Sequence, residues 1–155
     1  YTTVKEKVEA LYTYLQKSTR YIGIQLGIGS WQPFDAKYVA SNQYGDCKAL
    51  SNYMVSLLKV AGIKANYVLI NAGEDYRELI EEFPSTSFNH AIACVPNGKD
   101  TIWLECTDQT KVPGYMGTFT GSRKALLIDE DGGHVVSTPY YKPSDNQQLR
   151  KVVAT

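Results

Sequence analysis

Cys47 and His90 are the two residues of this chain best suited to act together. Cys47 follows Tyr44-Gly45-Asp46 at the point where a helical pattern begins, and His90 opens the run His90-Ala91-Ile92-Ala93-Cys94. A cysteine attacks as its thiolate. The start of a helix, with its free backbone N–H groups and the positive end of the helix dipole, stabilises that charge and can lower a cysteine pKa by one or more units from about 8.5. A base within hydrogen-bond reach, oriented by a third group, completes a nucleophilic apparatus. The chain has two histidines. His134 follows a Gly-Gly turn, where exposure is expected, so His90 is the better base. For the third group the following strand offers Glu105 and, just past its end, Asp108. If the intervening turn centres near Gly98, His90 lies opposite Thr107 or Asp108, and Glu105 opposite Ile92 or Ala93. The first register places Glu105 on the face of His90; the second places Asp108 there. The competing reading is bland: Cys47 as a small buried cysteine at a helix start, and His90 as a half-buried histidine bonded to backbone.

The elements that must carry these residues are legible. Tyr44-Gly45-Asp46 forms a turn, with Gly45 permissive and Asp46 a good N-cap. Leu50, Met54, Leu57, Leu58 and Ala61 then recur on one helical face until Gly62, a C′ glycine, ends the helix near Lys59. Ala65 to Ile70 reads as a strand. Upstream, Thr2 or Thr3 caps an amphipathic helix carrying Val4, Val8, Leu11 and Leu15 and running to about Thr19. Tyr21 to Leu26 reads as a short strand. A Gly-rich loop from Gly27 to Pro33 and a short helix from Phe34 to Asn42 follow. Downstream of an acidic connection, Asn71 to Ser87, the pattern gives a hairpin of Asn89–Val95 and Thr101–Cys106 about Pro96–Gly98. Lys111 to Thr120 is an irregular loop. A second hairpin from Lys124 to Thr138 turns at Asp131-Gly132-Gly133, and Leu149 to Ala154 reads as a last strand or the start of a neighbouring unit. Helices first and antiparallel strands afterwards predict an α+β fold, the Cys47 helix packed on an antiparallel sheet.

The whole chain sets bounds on function. Its 155 residues are expected to form one domain, 1–155. Sixteen basic and sixteen acidic residues cancel, which gives no footprint for nucleic acid or an anionic membrane surface. The three cysteines, Cys47, Cys94 and Cys106, lack metal-ligand spacing, so no metal or cofactor is expected, and their odd count leaves at least one free thiol. Cys94 and Cys106 read as core cysteines, with a disulfide across the hairpin as the alternative. The sequence carries no signal peptide and no apolar run of about eighteen residues. It starts at Tyr1 rather than Met, so an excised piece of a longer protein is expected, with about 143–155 a linker to a following domain.

Gly45-Asp46-Cys47-Lys48, Leu57-Leu58, Ala61-Gly62-Ile63, Ala65, Asn89-His90-Ala91 and Trp103-Leu104-Glu105-Cys106-Thr107 together resemble the transglutaminase-like core family. Within it they are most similar to the bacterial branch whose core sits between β-rich domains of exported proteins. The similarity runs from about Tyr21 to Tyr140. The resemblance implies a papain-like fold and a Cys–His–acid triad with Cys47 as nucleophile and His90 as base. The family's aspartate aligns with Glu105, one methylene longer, with Asp108 in reserve. Ala49 stands where many relatives carry an acid. The Cys47 backbone N–H would contribute to an oxyanion hole, with Gln43 and Trp31 as candidate second donors; Trp31 otherwise reads as a loop aromatic tucked onto the core.

The implied activity is thiol-dependent acyl transfer on an amide bond of a peptide, protein or cell-wall fragment, with hydrolysis preferred over transfer to an amine. The partners implied are a peptide or protein substrate and flanking domains of the same chain, in an extracytoplasmic (periplasmic or cell-surface) setting. The rival from another class is an inert binding or spacer module of a cell-envelope protein. A transferase of small acyl groups is weaker, because nothing resembles a pantetheine or nucleotide site.

Overall fold

The first helix is fixed by its own cap. The Thr3 hydroxyl accepts from the Glu6 N–H while the Glu6 carboxylate accepts from the Thr3 N–H, a reciprocal capping box. In the computed structural model, which describes residues 1–24, 29, 31–83, 85–145 and 147–153, this helix, α1, spans Val4–Ser18. It buries Val8, Tyr12 and Leu15, while Leu11 is half-buried and Val4 exposed. Tyr12 takes the core position expected of Leu11 because its hydroxyl has a buried acceptor, the Glu105 carbonyl at 2.6 Å. A satisfied hydroxyl lets the whole tyrosine leave water.

A second helix, α2, spans Ala36–Asn42 rather than starting at Phe34, because Asp35 caps it by accepting from the Tyr38 N–H. It ends at Gln43, which takes a left-handed conformation (φ 59°, ψ 29°). The helix α3, Cys47–Val60, begins as expected at the Asp46 cap. It ends in a Schellman motif, with Gly62 at φ +72° and the Ile63 and Gly62 N–H groups reaching the Leu58 and Lys59 carbonyls.

Gly45 serves a different purpose from the one the sequence suggested. The left-handed turn residue is Gln43, and Gly45 instead lies in a short strand pressed against α3. A Cβ there would stand 2.9 Å from the Ala49 Cβ. Ala49 is accordingly buried at this contact.

Among the described residues there are two sheets. In the smaller, β1 (Arg20–Tyr21) runs parallel to β2 (Tyr44–Gly45), which ties the chain after α1 to the entry of α3. Of the expected strand Tyr21–Leu26, Tyr21 pairs, joined by Arg20, and residues 22–24 do not; Gln25–Ile28 and Ser30, including much of the Gly-rich loop, lie outside the described residues. The larger sheet is antiparallel, in the order β5-β4-β3-β6-β7, from β3 (Asn66–Ile70), β4 (His90–Asn97), β5 (Asp100–Leu104), β6 (Lys124–Asp129) and β7 (Gly132–Ser137).

Both hairpins form. The first turns at Gly98-Lys99, pairing Asn97 with Asp100 and Ala93 with Leu104. Continued past Leu104, that register sets Glu105 beside Ile92, the first of the two alternatives. The second turns at Glu130-Asp131, one residue earlier than expected, with Gly132 opening β7 at φ +128°. The expected irregular loop at Lys111–Thr120 closes in a short helix, α4 (Gly117–Thr120). Residues 147–153 carry no strand, so the last strand expected over Leu149–Ala154 is not formed there; its side chains at Leu149, Val152 and Val153 are exposed and have no sheet face to cover.

The larger sheet has a core on each face. Against one face, α1, α2 and α3 bury Tyr12, Leu15, Val39, Leu50 and Met54 with Ala93, Val95 and Leu104. On the other, Val68, Ile70, Ile92, Cys94 and Trp103 pack with Met116 and Ala125. This is the helix-on-sheet α+β arrangement. Cys94 and Cys106 fall in different clusters, and all three cysteines are buried free thiols.

Candidate active site

Three elements converge on one corner. The start of α3 supplies Cys47, the start of β4 supplies His90, and the chain leaving β5 supplies Glu105. The pairing of α3 with β4 is pinned by the Ser51 hydroxyl, which donates to the Ala91 carbonyl at 3.0 Å, one residue from His90. The Tyr12 hydroxyl fixes the Glu105 backbone in the same way from α1.

Cys47 is the first residue of α3, and its N–H belongs to the set that a helix start leaves without an intrahelical acceptor. The Asp46 carboxylate that precedes it is engaged twice, accepting from the Ala49 N–H at 2.9 Å and pairing with Lys48. That carboxylate is therefore committed to the cap.

The imidazole of His90 is 8% exposed. Its Nε2 lies 2.9 Å and 3.1 Å from the two carboxylate oxygens of Glu105. With Nε2 on Glu105, Nδ1 is the ring nitrogen left for Cys47, whose interaction with the imidazole favours the charged ring. Burial works against a charged imidazole. The hydrogen bonds to Cys47 and Glu105, and the Glu105 charge, outweigh it and raise the His90 pKa to about 9.

Glu105 is 1% exposed, yet its carboxylate is richly supplied with donors. Besides His90, Oε1 accepts from the Thr107 hydroxyl at 2.7 Å and its N–H at 3.3 Å, and Oε2 accepts from the Thr120 hydroxyl at 3.2 Å. Burial pushes the carboxyl pKa up, but the His90 pairing and the Thr107 bonds prevail and hold it below the ordinary value. The extra methylene of glutamate therefore does not prevent contact with the histidine.

Asp108 is turned to its own loop instead. Its Oδ1 accepts from the Thr110 hydroxyl and N–H and from the Lys111 N–H, and its Oδ2 faces the Lys111 Nζ at 3.6 Å. The loop is held to α1 by Gln16, whose amide donates to the Asp108 and Lys111 carbonyls. Gln43 and Trp31 are both exposed, Trp31 to 76%, so the tryptophan is not tucked onto the core. His134 lies on β7, three strands from β4, paired with Asp129 at 3.0 Å.

Several contributors carry no signal in local sequence. Phe119 sets its ring edge-on to His90, with centroids 5.2 Å apart. The turn bearing Phe119 and Thr120 is stapled by Arg123, a buried guanidinium that donates to the carbonyls of Asn71, Gly73, Thr118 and Gly121 and stacks on Tyr76. Thr107 alone lies close in sequence to the residue it serves, since a threonine two residues on can bond back to a preceding carboxylate.

The arrangement is competent for nucleophilic chemistry: a thiol at a helix start, a histidine between it and a carboxylate, and a backbone N–H available to a developing oxyanion. Among curated proteins nothing matches the chain. Among solved structures it is similar to a proposed protease from Parabacteroides distasonis, at a TM-score of 0.60 and 12% identity, over 86% of this chain and 24% of that one. It is also similar to a proposed cysteine protease from Cytophaga hutchinsonii, at a TM-score of 0.52 and 17% identity, over 90% of this chain and 50% of that one. The chain thus spans half or less of the length of these structures, and at such identities the likeness is one of fold. A family model described as the transglutaminase-like superfamily matches residues 1–115, and by that match, with the helix-on-sheet fold, the chain belongs to the transglutaminase-like superfamily.

Proposed function

We propose that the chain is a cysteine-dependent acyl-transfer enzyme that hydrolyses amide bonds in a peptide or protein. The observation that carries this reading is the buried His90 imidazole held on both oxygens of a buried Glu105 carboxylate, with Cys47 close enough to favour the charged ring. In the forward step the thiol proton already rests on the His90 imidazole, whose charged form the site favours, and the Cys47 sulfur attacks the carbonyl carbon. The Cys47 N–H stabilises the oxyanion. Collapse breaks the C–N bond, the imidazolium gives its proton to the leaving amine, and a thioester remains. Water, deprotonated by His90, attacks the thioester, releasing a carboxylic acid and restoring the thiol. Glu105 stays ionised throughout and stabilises the imidazolium. Water is preferred as the acceptor because no group at the site, among the described residues, is dedicated to a second amine.

Reactivity separates this from the inert-module reading. Burial pushes the Cys94 thiol up to about 12 and raises the Cys106 thiol further, so both serve as internal controls. Alkylation by iodoacetamide, read residue by residue by mass spectrometry across pH, should modify Cys47 at least about tenfold faster than either control at pH 7. His90→Ala should remove that advantage. Equal protection of all three cysteines would sink the proposal for this chain.

A further inference from the structure

An open cleft of about 660 Å³ lies against the site, in the size range of ligand-binding pockets. Glu105 and Phe119 line it, and both touch His90, so the cleft and the site share a wall. β1 also lines it, with Arg20 and Tyr21. Tyr21 pairs with Gly45, two residues from Cys47, and the phenol is raised by burial and then by the charges of Cys47 and Asp46. The cleft therefore adjoins the site through Glu105 and Phe119 and is lined by two partly exposed aromatic side chains, Tyr21 at 48% and Phe119 at 45%.

Charge within the cleft is unevenly satisfied. Glu105 is matched by His90, and Asp108 by Lys111 and the Thr110 hydroxyl. Lys111 also donates to the Met116 carbonyl. The Arg20 backbone N–H is used in the small sheet, bonding to the Gln43 carbonyl, but its guanidinium has no acceptor among the described residues. Both acids on the walls are thus occupied, and the unmatched charge is a cation with a planar fork suited to a carboxylate.

We propose that this cleft is the subsite for a carboxylate-bearing segment of the peptide, with Arg20 reading the carboxylate between Tyr21 and Phe119. The assignment deepens the acyl-transfer reading and rests on it for the use of the site. A side-chain carboxylate and a C-terminal carboxylate share this chemistry.

The test is a binding measurement that needs no turnover. In Cys47→Ala protein, fluorescence anisotropy would compare three matched fluorescein-labelled heptapeptides: central Glu with an amidated C-terminus, central Gln amidated, and central Gln with a free C-terminus. One of the two carboxylate peptides should bind about tenfold tighter than the neutral one, as expected for a charge-assisted bidentate pair. Which of them does so identifies the source of the carboxylate. Arg20→Gln should bring that ratio close to one, Arg20→Lys should restore part of it, and added salt should shrink it. Equal binding of all three peptides, no binding of any, or a preference that survives Arg20→Gln overturns the subsite. Cys47 alkylation in the unaltered chain is read separately, so the subsite can fail while the nucleophile stands, and the reverse.

Discussion

The Glu105 carboxylate decides the state of His90, and through it the behaviour of the thiol. Replacing it with an amide removes the charge and one hydrogen-bond acceptor while keeping the volume. In Glu105→Gln the imidazole, followed by NMR, should titrate at least one unit below the value of about 9 that the pair sustains. The rapid alkylation expected of Cys47 should fall with it, by about tenfold or more. A titration left near 9 would mean that another group holds the proton. Glu105→Asp should retain more of the shift than the amide does, because the charge remains even where the reach is shorter.

At the scale of elements, two contacts set where those residues stand. Gly45 lets α3 begin against β2, and a Cβ at 2.9 Å from the Ala49 Cβ has nowhere to go, since the atom it meets is fixed to a helix backbone. Gly45→Ala should destabilise the chain by about 1–3 kcal/mol in urea titrations, as overpacking does, and should slow Cys47 alkylation as the helix start moves. Stability unchanged within about 0.5 kcal/mol would show that α3 yields more readily than its packing implies.

Arg123 holds the other side of the site. Its four carbonyl bonds come from two stretches, Asn71 to Gly73 and Thr118 to Gly121, that no regular element joins. Arg123→Met leaves those carbonyls without their donor and should cost about 2–4 kcal/mol. Arg123→Lys should recover only part, since one ammonium cannot span the same fork. Full stability in the methionine variant would show that water replaces the guanidinium.

For the molecule as a whole, the buried pair makes stability depend on pH in both directions. The folded pKa of His90 is raised above its ordinary 6.5, so its contribution is complete below about 6.5 and is lost as pH rises through about 9. Glu105 is shifted down from 4.5, so its contribution is complete above that value and is lost as pH falls through the folded one. Urea midpoints of the unaltered chain, compared with those of the double variant His90→Ala, Glu105→Gln, should therefore differ most between about pH 4.5 and 6.5. The difference should shrink towards pH 10 by an amount on the order of 3 kcal/mol. A difference that does not vary with pH would show that the pair is not ionised.

The sequence by itself determined the helix bearing Cys47, both hairpins and the α+β order. Caps, glycines and apolar periods act over a few residues, so Asp46, Gly62 and the apolar run from Ala91 to Val95 need no distant partner to be read. The resemblance singled out Cys47, His90 and Glu105. The residues alone left Glu105 and Asp108 level, because a slip of one residue in the hairpin exchanges the two faces. Only the tertiary structure decided that register, seated Tyr12 under the Glu105 carbonyl, turned Asp108 to its own loop and brought Phe119, Thr120 and Arg123 to the same corner. Those contacts join residues far apart in the chain or distributed among loops, and such pairings are set by how helices and sheet close on a shared core, which no local spacing encodes.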